Sequence, residues 1–190
     1  MIYGITGRIG SGKSHVCKLM HNQYGANIFD CDEQAKGILN YPEIKKKVCL
    51  MIGKECYDVH GKYNPEQVIK LLMNNKFKIR LLTHIVQDEL LKLFKRGCSH
   101  MRNNMGKDTI LVIESAILFD LGWDKHVDKM IWVDADFDVR RQRVMDRHGT
   151  GMYIATKYMM MFPQGNTHKL KADYVIENNG IRPIDLRFVE

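Results

Sequence analysis

The chain carries the octapeptide GRIGSGKS at residues 7–14, directly after the short apolar segment IYGIT at residues 2–6. The following segment, SHVCKLMHNQYG, has apolar residues at helical spacing and ends at a glycine, a common helix cap. A strand, a loop of the form GxxxxGK(S/T) and a helix in this order form a phosphate-binding loop. Its backbone N–H groups and the helix N-terminus attract a phosphate. The opening of the chain therefore predicts nucleotide binding by an α/β protein.

The loop residues have individual expected roles. Lys13, which we also predict to be catalytic, would reach the β- and γ-phosphates, and the Ser14 hydroxyl would bind Mg²⁺. A tight strand-to-helix turn without a ligand is the alternative, which the flanking strand and helix disfavour. The predicted nucleotide-binding residues of this segment are Gly7, Ile9, Gly10, Ser11, Gly12, Lys13, Ser14 and His15.

Length and composition narrow the possibilities further. The 190 residues suit one domain, 1–190, with insertions. No apolar run approaches the roughly 20 residues that span a bilayer, and the N-terminus resembles a strand rather than a leader, so we expect a cytoplasmic protein. Five scattered cysteines without a CxxC pair predict neither a disulfide framework nor a zinc site. The net charge of +7 suits nucleic acid, anionic lipid or a small polyphosphate.

Four further apolar segments complete the expected sheet. They are ANIFD at 26–30, TILVIES at 109–115, KMIWVDA at 129–135 and DYVIEN at 173–178. The last three are continuous apolar runs, which are typical of buried parallel strands. The predicted fold class is α/β, with the fold of the P-loop NTPases: a five-stranded parallel sheet flanked by helices, a helical substrate-binding insertion and a short lid.

Two segments lie outside this core. Residues from about 35 to 107 have a helical pattern throughout, and Asn64-Pro65-Glu66 is typical of a helix start. We expect a helical insertion at about 40–105 to bind the acceptor, that is, a second substrate that would receive a phosphoryl group from the nucleotide. After the helix DFDVRRQRVMDR, residues of about 147–168 are expected to form an irregular lid, with the methionines at 159–161 as packing.

Acidic residues follow two predicted strands, at the sheet edge where ligands bind. Of Asp30 and Asp32, one could accept a proton from an acceptor hydroxyl and the other could hold the Mg²⁺ shell. Glu114 ends the third strand and is a further candidate for that shell. We predict Ser14, Asp30 and Glu114 as the metal residues and Asp32 as catalytic. Helix capping by the aspartates, or a cap or salt bridge for Glu114, remains the alternative.

The helix at 136–147 is rich in arginine. Arg143 and Arg147 are one helical turn apart, which suits a catalytic clamp on phosphate oxygens as negative charge spreads during transfer. A surface salt bridge is the alternative for either residue. Arg140 and Arg141 are predicted to be solvated.

Several classes of nucleotide-binding protein remain possible at this point. The chain lacks an NKxD guanine reader, which disfavours a GTPase, and a nucleic-acid motor is usually longer. The size, the helical insertion and the arginines favour a small-molecule kinase. A nucleotide or nucleoside kinase and a non-catalytic nucleotide-binding protein stay open as alternatives, although intact Lys13, Ser14 and Asp32 argue against the latter.

The chain also resembles the dephospho-CoA kinase family in segments that occur in order along nearly its whole length. These are GITGRIGSGKS, FDCDEQAKGIL, IGKECYDVHGKYN, VIESAILFDLGWDKHVDKMIWVDA, RQRVMDR, and Gln164 followed by NTHKLKADYVIENNG. The resemblance implies ATP-dependent phosphorylation of the ribose 3′-hydroxyl of dephospho-CoA, the last step of coenzyme A synthesis, with Mg²⁺. Both substrates are polyanions, which gives the positive charge a use.

The motif positions carry further implications. Asp32 would be the base and contact the acceptor, His84 matches the histidine of the family's substrate insertion, and Asn178 to Gly180 would lie near the adenine. We expect ATP and dephospho-CoA as the small-molecule partners, neither nucleic acid nor a membrane as a partner, and a monomer or weak homo-oligomer.

The sequence departs from the family pattern at several places. In the loop, Arg8 replaces a glycine and His15 replaces a threonine. Residues 83–85 lack the proline that generally follows the histidine, Asn64-Pro65 stands where an arginine is common, and residues 115–117 replace a proline segment. Most of these changes lie where the acceptor should bind, so the acceptor most needs a direct test.

Overall fold

The computed structural model describes residues 1–72, 75–104, 109–161 and 166–189. They form two compact units, Met1–Asp30 with His100–Glu190, and Cys31–Ser99. The strands are β1 (Ile2–Thr6), β2 (Asn27–Asp30), β3 (Leu111–Glu114), β4 (Lys129–Asp134) and β5 (Tyr174–Glu177). The helices are α1 (Lys13–Tyr24), α2 (Cys31–Ile38), α3 (Pro42–Met51), α4 (Pro65–Leu72), α5 (Lys76–Asn104), α6 (Phe137–His148), α7 (Met152–Met161) and α8 (Asn166–Lys169).

The five strands form one parallel sheet in the order β2-β3-β1-β4-β5, which confirms the predicted fold class. The β1 strand is central and buried at every position, because β3 and β4 cover its edges and apolar groups cover its faces. The prediction of a fully buried strand was wrong for β5. As an edge strand it leaves Val175 exposed and buries Ile176.

One apolar core joins α1 to the sheet. The buried face of α1 consists of Val16, Cys17 and Met20, at the spacing of a helix that packs on one side. The same cluster includes Tyr3, Ile5, Val112, Ile131, Val133, Ile176, Leu186 and Val189. Because α1 starts at the phosphate loop, this packing anchors the loop to the centre of the sheet.

The segment after α6 is more regular than the sequence predicted. It contains α7, whose residues Ala155 and Met159 lie one turn apart and pack on Val144 of α6 in a second small core. Local propensity did not indicate this helix, since its stability comes from tertiary packing. Met160, in contrast, is exposed. Residues 162–165 of the predicted lid, which include Gln164, lie outside the described residues.

The unit Cys31–Ser99 is helical, as predicted, except around residues 52–64. A short 3-10 turn at Lys54–Cys56 and a turn at Gly61, with φ of 75°, separate α3 from α4. The side-chain oxygen of Asn64 accepts the backbone N–H of Gln67 at 3.2 Å, so the predicted helix start at Pro65 is confirmed. Among the described helices, none has both the length and the apolar composition to cross a membrane.

Candidate active site

The phosphate loop connects β1 to α1, and at Gly10 and Gly12 it comes too close to neighbouring groups for any residue but glycine. Gly10 has φ of 81° and Gly12 has φ of 94°, both in the left-handed region that disfavours other residues. A Cβ on Gly10 would lie 2.5 Å from the carbonyl oxygen of Arg140, and one on Gly12 would collide with the Asn178 side-chain amide. The glycine spacing seen in the sequence therefore reflects contacts of the loop with α6 and with the end of β5.

Charged side chains hold the loop by its carbonyl groups. The Lys13 ammonium is buried and donates to the carbonyl of Gly7 at 3.2 Å. The Arg143 guanidinium donates to the carbonyls of Gly10 at 3.3 Å and Ser11 at 3.1 Å. Two of the predicted catalytic cations thus lie directly at the loop.

Asn178, predicted from the resemblance to lie near the adenine, is buried after β5. Its side-chain amide donates to the carbonyl of Ser11 at 2.9 Å, and its backbone N–H donates to the carbonyl of Asp134 at 2.8 Å. Gly180 follows in an exposed turn with φ of 79°. The Ser11 hydroxyl is buried, and within the described part of the chain no group forms a hydrogen bond with it. A buried hydroxyl in this position is suited to a ligand oxygen.

The three predicted metal residues lie at one edge of the sheet. Glu114 ends β3 and is buried, and its Oε1 accepts the Ser14 hydroxyl at 3.2 Å. Asp30 ends β2 and is the register partner of Glu114. No group of three or more His, Cys, Asp or Glu side chains that could hold a metal occurs among the described residues. The arrangement suits a metal that takes most of its ligands from phosphate and water.

Cys17 belongs to this cluster, although the sequence did not indicate a role for it. Its thiol donates to Oε2 of Glu114 at 3.6 Å, so Ser14 and Cys17 contact different oxygens of one carboxylate. Burial raises the pKa of Cys17, and the Glu114 charge raises it further, so the thiol keeps its proton at neutral pH. Its position one helical turn after Ser14, on the same face of α1, is the signal that could have identified it.

The arginines of α6 differ in their environments. Arg147 is exposed in the last turn, whereas Arg143 is half-buried at the loop. The prediction that Arg140 is solvated was wrong. Arg140 is buried, because its guanidinium folds back onto backbone carbonyls beneath the loop. Arg141 forms a surface salt bridge with Asp138 at 2.6 Å.

The side chain of Arg8 extends toward the end of β4. Its guanidinium lies 3.9 Å from Oδ1 of Asp134, whose Oδ2 accepts Lys169 at 2.8 Å. Burial alone would raise the pKa of Asp134, but the hydrogen bond from Lys169 and the two positive charges lower it overall. His15, the other loop departure, is exposed on α1. The sequence did not indicate Lys169 or Asp134 as neighbours of the loop.

The two predicted acceptor residues belong to the helical unit. Asp32 is exposed in the first turn of α2, where a carboxylate is favoured by the helix dipole. His84 is exposed on α5, with its Nδ1 at 2.9 Å from the Gln87 amide. The proline missing from residues 83–85 would interrupt α5, which here runs without a break through this position.

Curated relatives and solved structures resemble the whole chain. The dephospho-CoA kinase of Fusobacterium nucleatum is 28% identical over 179 residues, which cover 94% of this chain and 90% of the relative. The dephospho-CoA kinase of Chlorobaculum tepidum is 30% identical over 186 residues, which cover 95% and 87%. The crystal structure of TT1252 from Thermus thermophilus is similar with a TM-score of 0.73 and 24% identity, over 95% of this chain and 90% of that chain. That likeness shows the fold.

A dephospho-CoA kinase from Campylobacter jejuni is similar in fold, with a TM-score of 0.53 and 18% identity, over 94% of this chain and 88% of its own length. The family model described as dephospho-CoA kinase matches residues 1–183. This match extends from β1 through the phosphate loop, the helical unit and β5. The chain therefore belongs to the dephospho-CoA kinase family.

Proposed function

We propose that this protein transfers the γ-phosphoryl group of ATP to the ribose 3′-hydroxyl of dephospho-CoA, which yields coenzyme A and ADP in the final step of coenzyme A biosynthesis. The observation that carries the proposal is the phosphate loop of a chain of this family, with Lys13 bonded to the loop and Ser14 bonded to Glu114, the register partner of Asp30. We infer that the loop binds the donor and that the helical unit binds the acceptor.

The donor half of the proposal rests on the loop. Lys13 would exchange its bond to the Gly7 carbonyl for the β- and γ-phosphates, and the Ser11 hydroxyl would donate to a phosphate oxygen. Asn178 and Gly180 would border the adenine. Arg143, already at the loop, and Arg147 would stabilise the negative charge that spreads over the transferred group.

The residues at the sheet edge fit Mg²⁺. The Ser14 hydroxyl and the carboxylates of Glu114 and Asp30 supply oxygen ligands, directly or through water, and Mg²⁺ keeps several waters in such sites. When bound, the ion would neutralise charge on the β- and γ-oxygens. Glu114 accepts hydrogen bonds from Ser14 and Cys17, which orient its carboxylate toward this position.

The acceptor half assigns Asp32 as the base that takes the proton of the 3′-hydroxyl, and His84 as a contact to dephospho-CoA. Phosphoryl transfer has a loose transition state, so positioning and charge neutralisation supply most of the catalysis and one carboxylate suffices. Closure of the predicted lid would exclude water from the reacting phosphate. The cytoplasmic location, the monomeric or weakly associated state and the absence of nucleic-acid and membrane partners remain predictions.

The proposal is tested by incubating the protein with MgATP and dephospho-CoA and separating the products by chromatography with mass detection. We expect coenzyme A and ADP in equal amounts. A 3′-deoxy analogue of dephospho-CoA should give no transfer, because it lacks the accepting hydroxyl. Absence of coenzyme A alongside turnover of a nucleoside monophosphate would contradict the acceptor and favour a nucleotide kinase. ATP binding without any transfer would favour a non-catalytic protein.

A further inference from the structure

Arg140 is a buried cation behind the phosphate loop, and nothing in the proposed reaction uses it. Its Nε donates to the carbonyl of Ala135 at 3.0 Å, just after β4. Its Nη1 donates to the carbonyl of Ile9 at 3.4 Å, inside the loop. One guanidinium therefore connects the end of β4 to the loop, over a sequence separation of more than a hundred residues.

The backbone of Arg140 also meets the loop. A Cβ on Gly10 would lie 2.5 Å from the Arg140 carbonyl oxygen. The backbone of α6 and the backbone of the loop are therefore in direct contact at this point. Arg143, one turn later, donates to the carbonyls of Gly10 and Ser11. Together the two arginines engage three successive loop carbonyls, those of Ile9, Gly10 and Ser11, from the α6 side.

Charges of both signs act on the buried Arg140. Burial lowers the pKa of Arg140, the charge of Arg8 lowers it further, and Asp134 opposes both. Asp134 also forms ion pairs with Arg8 and with Lys169. An arginine keeps its proton even so. A bound polyphosphate would therefore supply negative charge beside a desolvated cation, which strengthens the attraction between them.

We propose that Arg140 is a positioning residue for the phosphates of the nucleotide: it holds the Ile9 carbonyl outward, so that the loop N–H groups are set for the anion before it binds, and its buried charge adds to the attraction. The inference rests on the proposed nucleotide site and goes beyond it, because it assigns a role to a residue that does not touch ATP. Preorganised donors of this kind need little rearrangement when the ligand binds.

The test compares Arg140→Gln and Arg140→Lys with wild-type protein and with the control Arg141→Gln. Arg141 lies on the same helix but pairs with Asp138 at the surface, so its replacement removes one charge without touching the loop. The dissociation constants of ATP and of inorganic tripolyphosphate are measured by calorimetry. The KM for ATP, the KM for dephospho-CoA, kcat and the melting temperature are measured for each variant.

Glutamine keeps one donor group but loses the charge and the bridge, so we expect about tenfold weaker binding of both ATP and tripolyphosphate, since hydrogen bonds from charged groups are the stronger ones. Lysine keeps the charge but cannot span both carbonyls, so Arg140→Lys should bind ATP and tripolyphosphate about threefold more weakly than wild type. The KM for dephospho-CoA should stay unchanged in both variants. Arg141→Gln should remain within about twofold of wild type in every constant.

Equal affinities in Arg140→Gln and wild type would overturn the inference while leaving the proposed function intact. An equal loss of nucleotide affinity in Arg141→Gln would overturn the inference too, because it would indicate a general charge effect. So would Arg140 variants with a lower melting temperature but unchanged nucleotide binding. Loss of folding in both Arg140 variants would also overturn it, because Arg140 would then be a stability residue. A wild-type protein that binds neither ATP nor tripolyphosphate would overturn the proposed function and this inference together.

Discussion

The phosphate-loop region and the helical unit Cys31–Ser99 present their candidate residues in opposite ways. At the loop, side chains from α1, α6 and the end of β5 donate to backbone carbonyls at defined distances, and most of them are buried. In the helical unit, Asp32 and His84 are exposed on helix surfaces. The difference teaches that the proposed donor site consists of side chains already bonded to the loop, whereas the proposed acceptor residues lie on exposed helix surfaces.

Interactions in the two regions should therefore fail differently on mutation. Changes at the loop remove preset hydrogen bonds and charges, so they should alter nucleotide binding and transfer together. Changes at the exposed acceptor residues should alter the chemical step or acceptor binding without affecting the nucleotide. The four predictions below test this contrast, in order of decreasing effect.

The largest effect is expected for Lys13→Met, which keeps most of the side-chain length but removes the buried ammonium. Coenzyme A formation should fall by at least about 10³-fold, because a preset charge at the developing negative charge is lost. The initial rate of product formation measures this. Lys18→Met, at an exposed position on the same helix, is the matched control and should keep near wild-type activity. A Lys13 variant with more than a tenth of the wild-type rate would contradict the expected difference between the loop and the acceptor residues.

Asp32→Asn should lower kcat by about 10²- to 10³-fold, in the range of a lost general base, with the dissociation constant of ATP unchanged. Single-turnover transfer and nucleotide titration separate the two quantities. Glu33→Gln removes a neighbouring surface carboxylate that pairs with Lys36, and should have little effect on either. If Asp32→Asn transferred phosphate at the normal rate, its role as the base would be wrong. Weaker ATP binding would show that the acceptor side is not independent of the loop.

Glu114→Gln should raise the Mg²⁺ concentration for half-maximal rate by about tenfold, because residues that orient or hold a metal typically contribute that much to its affinity. Comparison of ADP binding with and without Mg²⁺ gives a second readout that does not depend on turnover. The control is Glu177→Gln, which also ends a strand but is exposed at the sheet edge. An unchanged Mg²⁺ dependence would remove Glu114 from the metal site and leave its hydrogen bonds with Ser14 and Cys17 as structural.

The smallest effect concerns the interior of the helical unit. The buried Tyr57 hydroxyl donates to the carbonyl of Leu39 at 2.7 Å, and burial raises the pKa of Tyr57. Tyr57→Phe should lower the free energy of unfolding by about 1 kcal/mol, the usual net value of such a bond. Denaturant unfolding measures it, and ATP affinity should not change. Tyr41→Phe, at an exposed position, should be neutral. A loss of ATP affinity in the Tyr57 variant would show coupling between the units.

Local patterns in the sequence predicted the sheet, the loop and the first helix correctly. The β1 strand, the glycine spacing and the face of α1 each occupy a few adjacent residues, so periodicity and turn chemistry suffice to identify them. Asp30 and Glu114 were each predicted to end a strand at the carboxyl edge of the sheet, and they are register partners at the ends of β2 and β3. Their positions at this edge could thus be inferred without a structure.

The errors occurred where burial depends on residues that are distant in the chain. Arg140 was predicted to be solvated because a helix rich in arginine resembles a surface helix, yet the loop lies against it. The α7 helix was missed because its packing partner is α6. The residue types of Cys17 and Lys169 did not indicate a site, since each becomes part of the loop surroundings only through the carboxylate that it contacts, Glu114 or Asp134.

By itself, the sequence determined the nucleotide loop, the parallel sheet and the identity of the chemical groups, because these depend on short-range backbone geometry and on residue type. Only the tertiary structure decided which cation is buried, which carbonyl each donor reaches, and which oxygen of Glu114 each partner contacts. Those choices depend on the packing of α6 and α1 against the loop and the sheet. Packing brings together groups that are far apart in sequence and removes the water that would otherwise screen their charges.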